Sequence, residues 1–96
     1  MKTHFNISFL EEATETLRAI AHPIRIAIID MLAKSNQLSV SEIHEQLNIE
    51  QAVASHHLRI LKGKKIVSVS REGKNSFYKL TNRDYNSIIQ ILTKSV

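Results

Sequence analysis

The sequence predicts a mainly α fold with a small β-hairpin: an α+β winged helix-turn-helix with one additional helix at each end. Three observations predict it. Apolar residues recur at helical spacing through most of the first 63 positions. Two of those helical stretches are joined by a short turn at Asn48. The period then drops to two in "IVSVSREGKNSFYKL" before a last helical segment. A chain of 96 residues has room for one domain, read as 1–96, with the helix-turn-helix at about 39–63 and the hairpin at about 66–80. The terminal helices are read at about 8–21 and 82–95.

In "SFLEEATETLRAIA", Leu10, Ala13, Leu17 and Ile20 mark the first helix, with Ser8 as the expected N-cap and acidic residues in the first turn. Pro23 suits the first turn of a second helix, where its missing N–H costs nothing. There Ile24, Ala27, Ile28, Met31 and Leu32 form the expected core stripe. "KSNQL" reads as a turn. Ser39 and Glu42 have capping-box spacing and open a short helix through Leu47, with Ile43 and Leu47 on its apolar edge. Asn48 follows, a residue that tolerates the left-handed conformation of a tight helix–helix turn. The next helix starts near Glu50 and runs to about Gly63. Val67, Val69, Tyr78 and Leu80 alternate about the turn "EGKN" in the hairpin. Thr81 and Asp84 repeat the cap spacing, and Tyr85, Ile88, Ile89 and Leu92 mark the C-terminal helix.

Composition narrows the function. With no cysteine there is no disulfide, thiolate metal site or thiol redox switch. "MKTHFNISFL" does not read as a signal peptide, and no apolar run approaches the roughly 18 residues of a membrane span. The expectation is a soluble cytoplasmic protein. No nucleophile–base pairing, glycine-rich phosphate loop or framed carboxylate pair points to an enzyme. The net charge of +4 is unevenly placed: residues 1–48 carry −2 and residues 49–79 carry +5. A polyanionic partner follows naturally, the alternative being a solvated basic face with no partner.

"VASHHLRIL" places two histidines side by side. Adjacent helical residues do not face each other, so His56 and His57 cannot chelate one ion together, and the five histidines never show helical metal spacing. At about 100° per residue, His57 falls among Val53, Ala54, Leu58 and Leu61, whereas His56 borders a polar arc with Gln51, Ala52, Ser55, Arg59 and Lys62. His57 is therefore expected to be a hydrogen-bonded, half-buried core residue. For His56 the choice lies between DNA contact and plain solvent exposure.

The stretch "LRAIAHPIRIAIIDMLAKSNQLSVSEIHEQLNIEQAVASHHLRIL" followed by "REGKNSFYKL" resembles the ArsR/SmtB family of winged-helix transcriptional regulators. The resemblance runs from Leu17 to about Thr81, and its specific parts are the "LRAIAHPIRIAII" opening, "SHHLRIL" and the "REGK…FYKL" wing. It implies a homodimeric repressor of double-stranded DNA, often released by an effector. Gln51, Ser55 and His56 match polar positions of the family's recognition helix, and Arg71, Gly73 and Lys74 match its wing. Ser39 and Ser41 stand where many metal sensors of the family carry cysteines, and no histidine follows position 57 for the C-terminal metal site, so no metal or cofactor is expected. Lys64-Lys65 replaces the family's usual Ala-Gly before the first strand, with Gly63 ahead of it, so this turn is expected to differ in detail from the family's.

From this reading, Gln51, Ala52, Ser55, His56 and Arg59 are the expected base readers, with Ala52 limited to apolar contact such as a thymine methyl. Ser39, Ser41, Lys62, Lys64, Arg71, Lys74 and Asn75 are the expected backbone and wing contacts. Leu10, Ala13 and Leu17 with Tyr85, Ile88, Ile89 and Leu92 are the expected dimer interface, the alternative being that these stripes pack on their own core. Two other functions compete: a winged helix used for protein contacts, and a metal sensor built from non-standard histidines. The effector, if one exists, is not written in the sequence.

Overall fold

A computed structural model describes residues 2–96. The element order is α1 (Ile7–Ile20), α2 (Pro23–Lys34), β1 (Leu38–Ser39), α3 (Val40–Leu47), α4 (Gln51–Gly63), β2 (Val67–Glu72), β3 (Asn75–Leu80) and α5 (Asp84–Lys94). Five helices surround a three-stranded antiparallel sheet in the order β1-β3-β2, so the α+β winged helix-turn-helix expected from the sequence is the fold observed. Ile28, Ile29, Leu32, Ile43, Leu58, Leu61, Ile66 and Val67 are the largest fully buried side chains. They come from α2, α3, α4, the turn after α4 and the start of β2, so the helix-turn-helix and the core are one body.

Helix α1 begins earlier than Ser8 would place it. The Asn6 side chain accepts the Phe9 amide at 2.7 Å, so Asn6 is the N-cap and Ser8 lies inside the first turn. Glu11 and Glu12 consequently fall beyond the first turn, which holds no acidic residue. Pro23 does open α2, but the cap before it is His22, whose Nδ1 accepts the Ile24 amide at 3.1 Å. The buried stripe of α2 is Ile28, Ile29, Leu32 and Ala33, while Ile24, Ala27 and Met31 are only half-buried. The helix is apolar on nearly every side because α1, α4, α5 and β3 all pack on it, and such a helix has no single face for periodicity to find.

Part of "KSNQL" is a strand rather than a turn. Leu38 and Ser39 pair with Tyr78 and Phe77, and a two-residue strand is too short to show alternation. The capping box of α3 is complete: the Glu42 amide donates to Ser39 Oγ at 3.1 Å, and the Ser39 amide donates to Glu42 Oε1 at 2.9 Å. Asn48 ends α3 at φ 54°, ψ 47°, the left-handed conformation. His44 Nδ1 lies 3.2 Å from the Ile49 carbonyl; a carbonyl only accepts, so this nitrogen carries the proton and braces the turn.

Helix α4 ends in a Schellman motif. The Ile66 amide donates to the Leu61 carbonyl at 3.0 Å and the Lys65 amide to Lys62 at 2.9 Å. Lys65 takes the left-handed position at φ 59° that glycine usually fills. The unusual Lys64-Lys65 pair therefore keeps the turn, at the cost of a strained lysine. In the hairpin, Glu72 pairs with Asn75, leaving Gly73-Lys74 as a two-residue loop with Gly73 at φ 63°. A positive φ at only the first central residue is the type II′ pattern, which glycine there permits.

Thr81 does not cap α5. Its hydroxyl donates to the Lys65 carbonyl at 2.6 Å and lies 3.1 Å from the Ile66 carbonyl, tying the end of β3 to the start of β2. The residue preceding α5 is Arg83, without a side-chain cap bond; Asn82 Oδ1 instead accepts the Asp84 amide at 2.8 Å. The Arg83 guanidinium donates to the Ala33 carbonyl in the last turn of α2, which docks α5 there. No helix among the described residues is long and apolar enough to cross a membrane.

Candidate nucleic-acid interface

Helix α4 is presented by three local devices: the capped α3, the left-handed Asn48 and the Schellman stop at Lys65. Its inner face is Ala54, His57, Leu58 and Leu61. Gln51, Ala52, His56, Arg59 and Lys62 are exposed and Ser55 is half-buried. The five expected base readers thus lie on one helix, with Ala52, His56 and Arg59 near the centre of the outward face and Gln51 and Ser55 toward its flank. Val53 is also exposed, although the helical period places it on the apolar side with His57, Ala54, Leu58 and Leu61.

The double histidine divides between the two faces. His57 is 6% exposed, whereas His56 is open. The expected hydrogen bond of His57 is not found at Nδ1, a buried atom without a partner. Burial, reinforced by His22, Arg25 and His56, holds this imidazole below its ordinary range. His57 is therefore a neutral core ring at neutral pH.

The wing places Arg71, Lys74 and Asn75 at its exposed tip around Gly73. Lys62 is exposed at the end of α4, and Ser41 is exposed on α3. One of the expected backbone contacts needs correction. Ser39 is 8% exposed and its hydroxyl is occupied by the capping box, so it is a structural residue. Lys64 is exposed and forms a surface ion pair at 2.5 Å with Glu15 of α1. Glu15 in turn has its carboxyl held below the usual range, first by that hydrogen bond and then by the lysine charge. The pair links α1 to the end of α4, 49 residues away in sequence.

The expected dimer surface is also divided by the structure. Ala13, Leu17, Ile88 and Leu92 are exposed, and Leu10 and Tyr85 are half-buried. Ile89 is corrected: at 3% exposure it belongs to the core of its own chain, carried there by the docking of α5 on α2. Ile91, not singled out from the sequence, is 69% exposed. Its neighbours on the helical period had hidden it, because a stripe of Ile88, Ile89 and Leu92 already accounted for one face.

Among the described residues, no three His, Cys, Asp or Glu side chains converge as metal ligands. His22 is used as a cap, His44 braces the Asn48 turn, and Ser39 is committed to Glu42. These groups do not fit the family's thiolate metal chemistry. What the surface offers is a convex row of polar and basic side chains beside a basic wing.

This arrangement defines a winged helix-turn-helix protein of the DNA-binding class. A profile described as "Bacterial regulatory protein, arsR family" matches residues 22–69. The transcriptional repressor PagR of Bacillus anthracis is 34% identical over 83 residues, covering 86% of this chain and 83% of PagR. The repressor SmtB of Mycobacterium tuberculosis is 39% identical over 80 residues, covering 83% of this chain but 58% of SmtB. Among solved structures, HlyU from Vibrio cholerae superposes with a TM-score of 0.81 at 28% identity, covering 93% of this chain and 96% of HlyU. The PagR crystal structure gives 0.79 at 32% identity, covering 91% and 99%. The chain belongs to the arsR family of bacterial regulatory proteins, DNA-binding transcriptional regulators rather than enzymes.

Proposed function

We propose that the chain is a homodimeric repressor that lays α4 of each protomer into successive major grooves, half-sites about 34–36 Å apart. The observation that carries this reading is the outward face of α4, with Gln51, Ala52, Ser55, His56 and Arg59, next to a wing bearing Arg71 and Lys74. On this reading the α4 side chains read base edges. Ser41, Lys62, Arg71, Lys74 and Asn75 set position and affinity on the phosphates. Lys64 joins them only where a phosphate displaces Glu15. The exposed Leu17, Ile88, Ile91 and Leu92 supply apolar surface for a second copy, which suits a domain too small to bury all of it alone. PagR and SmtB are named as repressors, which favours repression here.

The test is footprinting and fluorescence anisotropy on DNA upstream of the chain's own gene, starting at about 50 mM salt where phosphate contacts are strongest. A protected pair of half-sites one turn apart is expected, unchanged by added zinc. Lys74→Ala should weaken all sequences alike and flatten the log–log salt slope by about one unit. Failure to bind any duplex at low salt would favour a protein-interaction role instead. Release by zinc would restore the metal-sensor alternative.

A further inference from the structure

Helices α2 and α4 meet at two histidine rings. The His22 and His57 centroids are 4.3 Å apart with planes inclined by 39°. His22 is engaged on its other side, where Nδ1 accepts the Ile24 amide and caps α2. His57 is almost wholly removed from water, and its Nδ1 is unpartnered, as is the buried Nε of Arg25. The ring of His56 approaches His57 edge-on at 5.1 Å. The charged and titratable groups bearing on His57 are thus His22 and Arg25 of α2 and His56 of its own helix. The ion pairs among the described residues, Lys34–Asp30 and Lys64–Glu15, involve none of these groups.

From this geometry we propose that His22 and His57 are a positioning pair, whose neutral rings in tilted contact seat the DNA-reading helix on α2 and whose protonation unseats it. The proposal rests on α4 being the reading helix. Two effects act in the same direction. A proton added to His22 goes to Nδ1, because the other nitrogen of an accepting neutral ring already carries one. The cap acceptor then becomes a donor facing the Ile24 N–H, and the α2 cap is lost. A proton added to His57 places a charge out of water beside the Arg25 guanidinium, with no anion to offset it. The two protonations together push α4 from α2 and displace Ala52, His56 and Arg59 relative to the wing.

This predicts the opposite of simple phosphate attraction. Acid adds positive charge to the surface, which alone strengthens binding to any DNA. A lost seat instead weakens binding to the preferred sequence. The experiment uses the full chain and a duplex selected from a random pool at pH 8. Preference for that duplex over a scrambled one should fall by about tenfold from pH 7.5 to 5.5, since uptake of one proton by the unseated form alone can move the equilibrium by up to about tenfold per pH unit. His22→Asn keeps a cap oxygen without a titrating ring, and His57→Phe keeps an aromatic ring without the nitrogens. Both should hold the preference within about threefold over the same range.

Amide spectra of the free protein provide a second readout. The Ala54, Leu58 and Leu61 amides should move with a midpoint shared by the His22 or His57 ring signals, and stay flat in His57→Phe. Equal pH dependence in the wild type and both variants, or flat wild-type amides, overturns the pair. If no duplex is selected at pH 8, the DNA-reading function has failed and the amide titration alone decides the pair. Should His57→Phe not fold, His22→Asn decides it.

Discussion

Helices α4 and α5 carry similar shares of apolar residues, yet the chain treats them differently. In α4 the residues Ala54, His57, Leu58 and Leu61 are buried, and the free face is polar and basic. In α5 only Ile89 is buried, and Ile88, Ile91 and Leu92 face outward. The first helix is complete within one chain and presents a surface that water or phosphate can satisfy. The second has more apolar surface than its own core can take. The contrast separates a helix whose free face is polar and basic from one whose free face is apolar.

The largest effects should test that contrast directly. Leu58→Ala removes a fully buried side chain from the centre of α4 and should cost about 2–5 kcal/mol in urea denaturation. Leu92→Ala, on an exposed position of α5, should cost under about 0.5 kcal/mol in protomer stability but weaken self-association in sedimentation equilibrium. Equal losses in the two variants would erase the distinction. Next in size is pH. The unfolded His57 gains its proton near the ordinary value of 6.5, while the folded ring resists it. Stability is therefore full above that value and declines as pH falls below it, by up to about 1.4 kcal/mol per unit, until the folded ring also protonates. Urea midpoints at pH 7.5 and 5.5 should show the decline in the wild type and a smaller one in His57→Phe.

A further effect of similar size concerns reading rather than stability. His56→Ala should relax preference at one base position by about 1–3 kcal/mol across a randomised operator library, leaving the salt slope nearly unchanged. An unaltered preference would remove His56 from the readers. The smallest effect has the opposite sign. Lys65→Gly relieves the left-handed lysine at the end of α4 and should stabilise the fold by about 0.5–1 kcal/mol, part of the relief being offset by a more flexible unfolded chain. A rise in the thermal midpoint of a few degrees would register it.

Much of the fold and of the candidate interface was legible in the residues. The Ser39–Glu42 box, the Asn48 turn, the Gly73 hairpin and the two-faced α4 were all read correctly because each depends on neighbours within about one helical turn or one strand pair. The misreadings have a common origin. Ser8 lost the cap to Asn6 because two good cap residues stood close together, and local pattern could not rank them. Strand β1 was invisible because its pairing partner, β3, lies far along the chain.

The same division holds for function. Which side of α4 is polar, where the wing turns and which side chains reach outward follow from periodicity and backbone preference, and the amino-acid order settles them. Tertiary packing settles which of those groups are free to act. Glu15 pairs with Lys64 from 49 residues away, and Arg83 reaches the Ala33 carbonyl from 50. Docking of α5 on α2 turns Ile89 inward and leaves Ile91 outward. The contact of His57 with His22 joins a histidine of "VASHHLRIL" to one in "IAHPIR", two motifs with no periodic relation to each other. Local conformation depends on a few adjacent dihedrals, whereas pairing and burial depend on which distant surfaces meet, and only the folded chain brings those together.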